Sequence, residues 1–182
     1  MKSIQHLSAI AIITIVMALI YASVQQTYRA NANDPQILIA HDLRDNLSAG
    51  KQPSAFYTDS IDLEKSLATF VQTYDAHAKP LWTTGYIEGK LPQLPVSVIN
   101  YVKEHGEDWI TWQPRRSIRM AMGIVRTNSS PVAYIAVGRS LREVEERVSR
   151  LITIVGICWT LCIVIILGNW MFQSYHSKSR LI

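Results

Sequence analysis

Two long apolar runs bracket a middle segment in which apolar and polar residues alternate or recur at helical spacing. The first run extends from Leu7 to Val24 and the second from Leu151 to Phe172, and neither contains a charged residue. Each is roughly 18–22 residues long, enough at about 1.5 Å per residue to cross a hydrocarbon core of about 30 Å. A backbone in hydrocarbon must bond to itself, so both runs are expected to be helices. The second run competes with a buried core helix, but uncharged runs of this length are uncommon in small soluble domains. The first competes with a cleaved signal peptide, since Lys2 supplies a positive start and Ala30-Asn31-Ala32 a small-residue cleavage pattern. The run is longer than the apolar core of such peptides, and the pattern lies well beyond its end, so an uncleaved anchor is the reading adopted.

The middle segment divides by pattern. Asn33-Asp34-Pro35 has the residues of a helix start, Leu38, His41, Leu43 and Leu47 come after it at roughly helical spacing, and Gly50 suits a left-handed stop. A helix is therefore expected from Pro35 to Ser48, with Gln25–Asn33 prolonging or leaving the first apolar helix. Lys51–Ser54 reads as loop and Ser60–Ser66 as a short turn of helix. Ala68–Tyr74 is rich in β-branched and aromatic residues, Asp75–Pro80 interrupts it, and Leu81–Gly85 resumes, which is a hairpin pattern. Val98, Tyr101, Val102 and His105 recur at i, i+3, i+4 and i+7 before Gly106, as on an amphipathic helix. Trp109–Trp112 leads to a Gln113-Pro114-Arg115-Arg116 corner, and Ile118, Met120, Met122 and Ile124 then alternate like a half-buried strand. After the turn residues of Thr127–Pro131, Val132–Val137 is apolar on both sides and is expected to be central. The order predicts an α+β domain, an antiparallel sheet with helices packed on one side, flanked by two transmembrane helices.

The passage from this domain to the second apolar run has its own pattern. Ser140 and Glu143 form an S-x-x-E capping box, which starts a helix there. From it Leu141, Val144, Val148, Leu151, Val155, Cys158, Cys162, Ile165 and Asn169 keep a 3-4-3-4 spacing with no phase break. A stripe of that period packs along a partner helix, here the same helix of a second copy or the first anchor. Arg142, Glu143, Glu145, Glu146, Arg147 and Arg150 lie between the stripe positions and are expected on the solvent face. A stiff helix capped on the last strand would transmit movement of that strand; the plainer alternative is a stripe that only joins two anchors. Ser140, Leu141, Glu143, Val144, Val148 and Leu151 are the signal-coupling candidates.

Charge sets the expected orientation. All 14 acidic residues and 15 of the 18 Lys and Arg lie between the apolar runs, and the remaining basic residues are Lys2, Lys178 and Arg180. Positive flanks stay inside, so both termini are expected in the cytoplasm of an inner-membrane protein and the middle outside. The nearly neutral middle gives no reason to expect nucleic acid as a partner. The two cysteines, Cys158 and Cys162, fall within the second apolar run, which leaves the middle domain to be stable from its core alone. No metal site or cofactor is expected.

Four stretches together resemble a known family: Asn33-Asp34-Pro35-Gln36 with the helix after it; Ser66-Leu67-Ala68-Thr69-Phe70 leading to Tyr74-Asp75; Thr111-Trp112-Gln113-Pro114-Arg115 with the strand after it; and Gly138-Arg139-Ser140-Leu141-Arg142-Glu143-Val144-Glu145. They resemble the extracytoplasmic input region of bacterial membrane sensor histidine kinases, a Cache/PAS-like domain between two transmembrane helices, and the resemblance covers nearly the whole chain. It implies a sensor of a two-component system. The boundaries expected on that basis are a cytoplasmic N-terminus at 1–6, transmembrane helices at 7–24 and 151–172, the outer domain at 25–140, a juxtamembrane helix at 141–150 and a cytoplasmic tail at 173–182. The departure is that Gln173–Ile182 stands where such kinases continue into a linker, a phosphoacceptor helix and an ATP-binding domain. His176 in that tail has no such setting, and nucleotide-binding glycine motifs are missing from the sequence, so kinase activity is not carried over.

A ligand pocket in this fold class would lie between the sheet and its covering loops, which implicates Tyr74, Trp82, Tyr86, Trp112, Arg115 and Arg119. A guanidinium beside Trp112 could clamp a carboxylate through two hydrogen bonds; core tryptophans with solvated arginines is the competing reading. His41, His77 and His105 fall on two different helices and a turn, and Asp59, Asp62 and Glu64 form a small acidic patch best read as solvated charge. The expected function is a non-enzymatic membrane sensor module. It would bind an unknown small ligand or a protein and couple to a homodimer partner or a membrane histidine kinase. The alternatives are a structural or regulatory membrane subunit and a truncated kinase.

Overall fold

The computed structural model describes residues 2–51 and 59–178. In chain order these form α1 (Lys2–Ser48), β1 (Ile61–Asp62), β2 (Phe70–Tyr74), β3 (Pro80–Thr83), β4 (Gly85–Tyr86), α2 (Val96–His105), β5 (Glu107–Arg115), β6 (Ile118–Arg126), β7 (Tyr134–Ser140) and α3 (Arg142–Lys178). They fall into two compact units, one of segments 2–28 and 146–178 and one of Arg29–Glu145.

In the first unit both helices contain a stretch long and apolar enough to cross a membrane, with none of that stretch buried by protein. Large side chains such as Ile12, Leu19, Ile154 and Ile165 stand exposed, which in water would be costly and in hydrocarbon is not. The hydroxyls of these segments bond back to their own helix, as in Thr14 Oγ1 to Ile10 O at 2.8 Å and Thr160 Oγ1 to Gly156 O at 2.8 Å. Trp159 Nε1 donates to Thr14 Oγ1 at 3.0 Å and so ties α3 to α1 within the unit. Of the 3-4-3-4 stripe, Val148, Leu151, Val155 and Cys162 are half-buried, whereas Cys158, Ile165 and Asn169 are exposed.

The second unit is built on a five-stranded antiparallel sheet of order β3-β2-β7-β6-β5, with β1 and β4 forming a separate parallel pair. The hairpin of β2 and β3 and the central place of β7 agree with the sequence pattern. Alternation sorts the side chains. Phe70 and Tyr74 of β2, Met120, Met122 and Ile124 of β6, and Tyr134 and Ala136 of β7 join Ile99 and Val102 of α2 and Trp112 in one cluster. Val71, Val125, Ile135 and Val137 face the other way, onto Ile37, Ala40, Leu43 and Leu47 of α1.

Helices thus cover both faces, not the one side expected. The same fact corrects the half-buried reading of Ile118–Ile124: Met120 to Val125 are all buried, because α2 lies over one face and α1 over the other. Gly123 makes the second contact possible. A Cβ there would stand 3.0 Å from the backbone of Ile37, so the helix rests directly on the sheet.

Two further expectations are corrected. No helix starts at Asn33-Asp34-Pro35; α1 runs through, with Pro35 inside it. Pro35 forfeits one intrahelical bond, a smaller loss than the several unmet N–H groups of a new start, and Ile37, Ala40, Leu43 and Leu47 pin the C-terminal part of α1 to the sheet. Ser60–Ser66 is not a helical turn alone. Ile61–Asp62 pairs with β4, and only then does a turn close, with Asp62 Oδ1 accepting from Glu64 N at 2.9 Å and Ser66 N donating to Asp62 O at 2.8 Å. Of the expected loop Lys51–Ser54, residues 52–54 lie outside the described residues. Gly50, with φ 81°, ends α1 as its type suggests.

Candidate functional site at the strand-to-helix junction

The central strand β7 ends at Ser140 and α3 begins at Arg142, so Leu141 alone separates them. Leu141 N donates to Arg119 O on β6 at 2.9 Å, and Ser140 Oγ accepts from Arg142 N at 3.3 Å. The start predicted from Ser140 is therefore met to within a residue, with the serine hydroxyl occupying one of the N–H groups a helix start leaves free.

Around this corner the charged residues are organised. Arg119 of β6 pairs with Glu145 in the first turn of α3, and Arg139 of β7 with Glu143 at 3.2 Å. Arg142 donates to the backbone carbonyl of Glu64. The solvent face expected for Arg142 and Glu143 is thus corrected, since both are half-buried, whereas Glu145 is exposed as expected even while it pairs with Arg119. The helix starts directly on the sheet, and its first turn is within reach of β6 and the residue 62–66 turn.

Glu64 is held from a second side. Arg115, at the end of β5, donates from Nη1 to Glu64 Oε1 at 3.2 Å and grips Glu88 with both terminal nitrogens, each at 2.6 Å. Glu88 stands on the tight turn Ile87–Lys90, where it takes φ 49° before Gly89 at φ 71°. The hydrogen bond from Arg115, more than its charge alone, holds the Glu88 carboxyl below the usual carboxylate range. Asp62 is lowered chiefly by the Glu64 backbone N–H.

The six residues nominated for a ligand pocket do not meet in one place. Tyr74 and Trp112 belong to the α2-side core, where Tyr74 is 1% exposed and its hydroxyl accepts from Leu94 N at 3.3 Å. Burial pushes the Tyr74 phenol up, out of any physiological titration. Gln72 on the same strand donates to Pro92 O at 2.6 Å, so the segment after the Glu88 turn is fastened over this face. Trp82 packs with the opposite, α1-side cluster. Tyr86 is half-buried on β4, and Arg115 and Arg119 are the exposed residues of the network above. A cleft of about 430 Å³ lies elsewhere, lined by Arg44, His105, Gly106, Glu107, Arg126 and Asn128. Its polar side chains are engaged locally. His41 Nε2 meets Glu107 Oε2 at 2.7 Å, Arg44 meets Asp45 at 3.3 Å, and Arg126 donates to the α2 carbonyl of Lys103 at 3.0 Å.

Sequence reasoning missed Glu88 as a partner and placed Glu64 only in an acidic patch. The Glu88-Gly89 pair in front of Lys90 was the available signal, since such a pair suits a two-residue turn that aims its first side chain outward. Among the described residues no group of three or more His, Cys, Asp or Glu is placed to hold a metal ion.

Fold and junction define a class: an α+β domain with an antiparallel sheet whose chain also contains two helices apolar and long enough for a membrane. No protein-family model and no curated protein matches the chain.

Proposed function

We propose that the chain is a non-enzymatic sensor-like module of the cytoplasmic membrane, with a Cache/PAS-like domain on the outer side, both termini in the cytoplasm, and α3 as the element that couples the domain to a signalling partner such as a membrane histidine kinase. The observation that carries this reading is the junction. The central strand of the sheet, β7, turns into the helix that holds the second apolar run with one residue between them. A displacement of the sheet centre therefore has no slack loop in which to dissipate. Within the five-stranded sheet the order is two strands, a helix and three strands, with β2 beside β7, and this supports the PAS-like assignment. The positive charges of the two terminal flanks, Lys2, Lys178 and Arg180, support the orientation.

Two experiments test it. A reporter fused after Asn100 is expected to be active outside the membrane, and cytosolic activity sinks the reading. Purified in mild detergent, the protein is expected as a dimer or with a kinase, and a lone monomer counts against coupling.

One observation favours a second reading, a regulatory subunit that uses the domain for protein contact: Tyr74 and Trp112 are packed by the chain's own side chains. Thermal-shift screening against small acids and amines separates the two. A ligand at about 100 times its Kd adds about 2.7 kcal/mol, and no shift across the panel favours the subunit.

A further inference from the structure

We infer that Arg115 is the hub of a latch that fastens the first turn of α3 to the domain, with Glu64 as its bolt and the Glu88 turn as its catch. The inference rests on the reading of α3 as the coupling helix and names the device that would regulate it.

The geometry is continuous from end to end. Arg115 reaches Glu64 and Glu88 together, so one guanidinium joins the β5–β6 corner, the residue 62–66 turn and the Ile87–Lys90 turn. Glu64 is gripped twice, by its carboxylate from Arg115 and by its backbone carbonyl from Arg142, the first residue of α3. Its own N–H is occupied by Asp62 Oδ1 at 2.9 Å, which shapes the turn and presents the carbonyl. The parallel pairing of β1 with β4 fixes the two acidic turns near each other, through Ile61 with Gly85 and Asp62 with Tyr86.

Two parallel N–H to oxygen bonds at 2.6 Å orient Arg115 more firmly than a single contact would, and that orientation is what lets its Nη1 hold Glu64 as well. Losing Glu88 leaves Arg115 free to turn, Glu64 then loses its side-chain anchor, and Arg142 is bonded to a loosened carbonyl. A separate tie, Arg119 to Glu145, keeps the helix attached when the latch opens. Arg139 to Glu143 is a second such tie, so the opened state is a loosened start of α3 at Arg142, not a detached helix. The charged neighbours of the catch are Lys90 on the same turn, and of the bolt Asp62 with Lys65, which pair at 3.3 Å.

Hydrogen–deuterium exchange on the full chain in detergent tests the latch. R115Q is expected to speed exchange roughly two- to five-fold at residues 62–66, 87–90 and 142–146, the scale of a few exposed ion pairs, while β6 and β7 stay protected. R142M is expected to speed residues 62–66 and 142–146 and leave 87–90 unchanged. R44Q, on α1 at the separate cleft, serves as control. Unchanged exchange at 142–146 in R115Q overturns the latch, and so does an equal increase in R44Q. Should R115Q fail to fold, E88Q decides by the same criterion at 142–146. A variant indifferent at 142–146 that still assembles with its partner overturns the latch alone, whereas wrong topology or a lone monomer overturns the functional reading.

Discussion

The face of the sheet under α2 is packed with rings and sulfur, Phe70, Tyr74, Trp112 and Tyr134 beside Met120 and Met122, whereas the buried residues of the face under α1 are aliphatic, Val71, Val125, Ile135 and Val137 against Ile37, Ala40, Leu43 and Leu47, with Trp82 partly buried beside them. Each face depends on a glycine, for opposite reasons. Gly138 leaves room for a ring, since a Cβ there would stand 2.2 Å from Phe70 Cε1. Gly123 leaves room for a helix backbone. The ring face fills space with bulk and closes over with the loop to Leu94; the aliphatic face brings a helix close with little bulk between. Adjustment on the first is a matter of side chains. On the second it requires movement of α1 itself.

That contrast can be broken most forcefully at Phe70. Phe70→Ala is expected to destabilise the domain by about 3–5 kcal/mol in chemical unfolding. Gly138→Ala alone should cost about 1–3 kcal/mol, but in the Phe70→Ala background nearly nothing, because the ring it strikes is gone. Additive losses in the double variant would show that Gly138 matters for some reason other than the ring. Gly123→Ala is expected to cost a similar amount, about 1–3 kcal/mol, with only partial relief from truncating Ile37 to alanine, since that removes the Cδ1 contact at 3.1 Å and leaves the two backbone contacts at 3.0 Å. Full rescue by Ile37→Ala would mean the two faces are not different after all. Tyr74→Phe should cost about 1 kcal/mol, the worth of one hydrogen bond to Leu94 N, and leave α1 untouched.

The smallest effect lies at the rim. Glu88 is held below its ordinary range by Arg115, so in the folded protein it stays charged to lower pH than in the unfolded chain. Its contribution is fully present above the ordinary carboxylate range and is lost as pH falls through the folded value. Acid unfolding of E88Q should therefore be less steep than that of the parent across that window, and identical slopes would show that the pair adds nothing.

Much of this was legible from spacing. The two apolar runs, the β2–β3 hairpin, α2 with its Gly106 stop and the β7–α3 corner all arise from local signals, as does the exposure of Arg119 between buried Ile118 and Met120. Other features were not. Pro35 reads as a start and lies within a helix, and Met120 to Val125 read as half-buried and are covered on both sides. Both errors have one cause: α1 packs against strands β6 and β7, far along the chain, which no window around Pro35 contains. The candidate pocket residues likewise divided, with Trp82 on the face opposite Tyr74, because strand pairing decides which face a residue joins.

From the residues alone came the types of the longer elements, the central place of the last strand and the two segments apolar enough for a membrane, since each depends on backbone preference and on periodicity over a single stretch of chain. Only the tertiary structure decided which helix covers which face and which charged side chains meet. Arg115, Glu64, Glu88 and Arg142 are scattered along the sequence and touch only because β1 pairs with β4 and β5 turns back beside them. A long-range contact between exposed charges leaves no periodic trace, because either partner by itself is indistinguishable from an ordinary solvated residue.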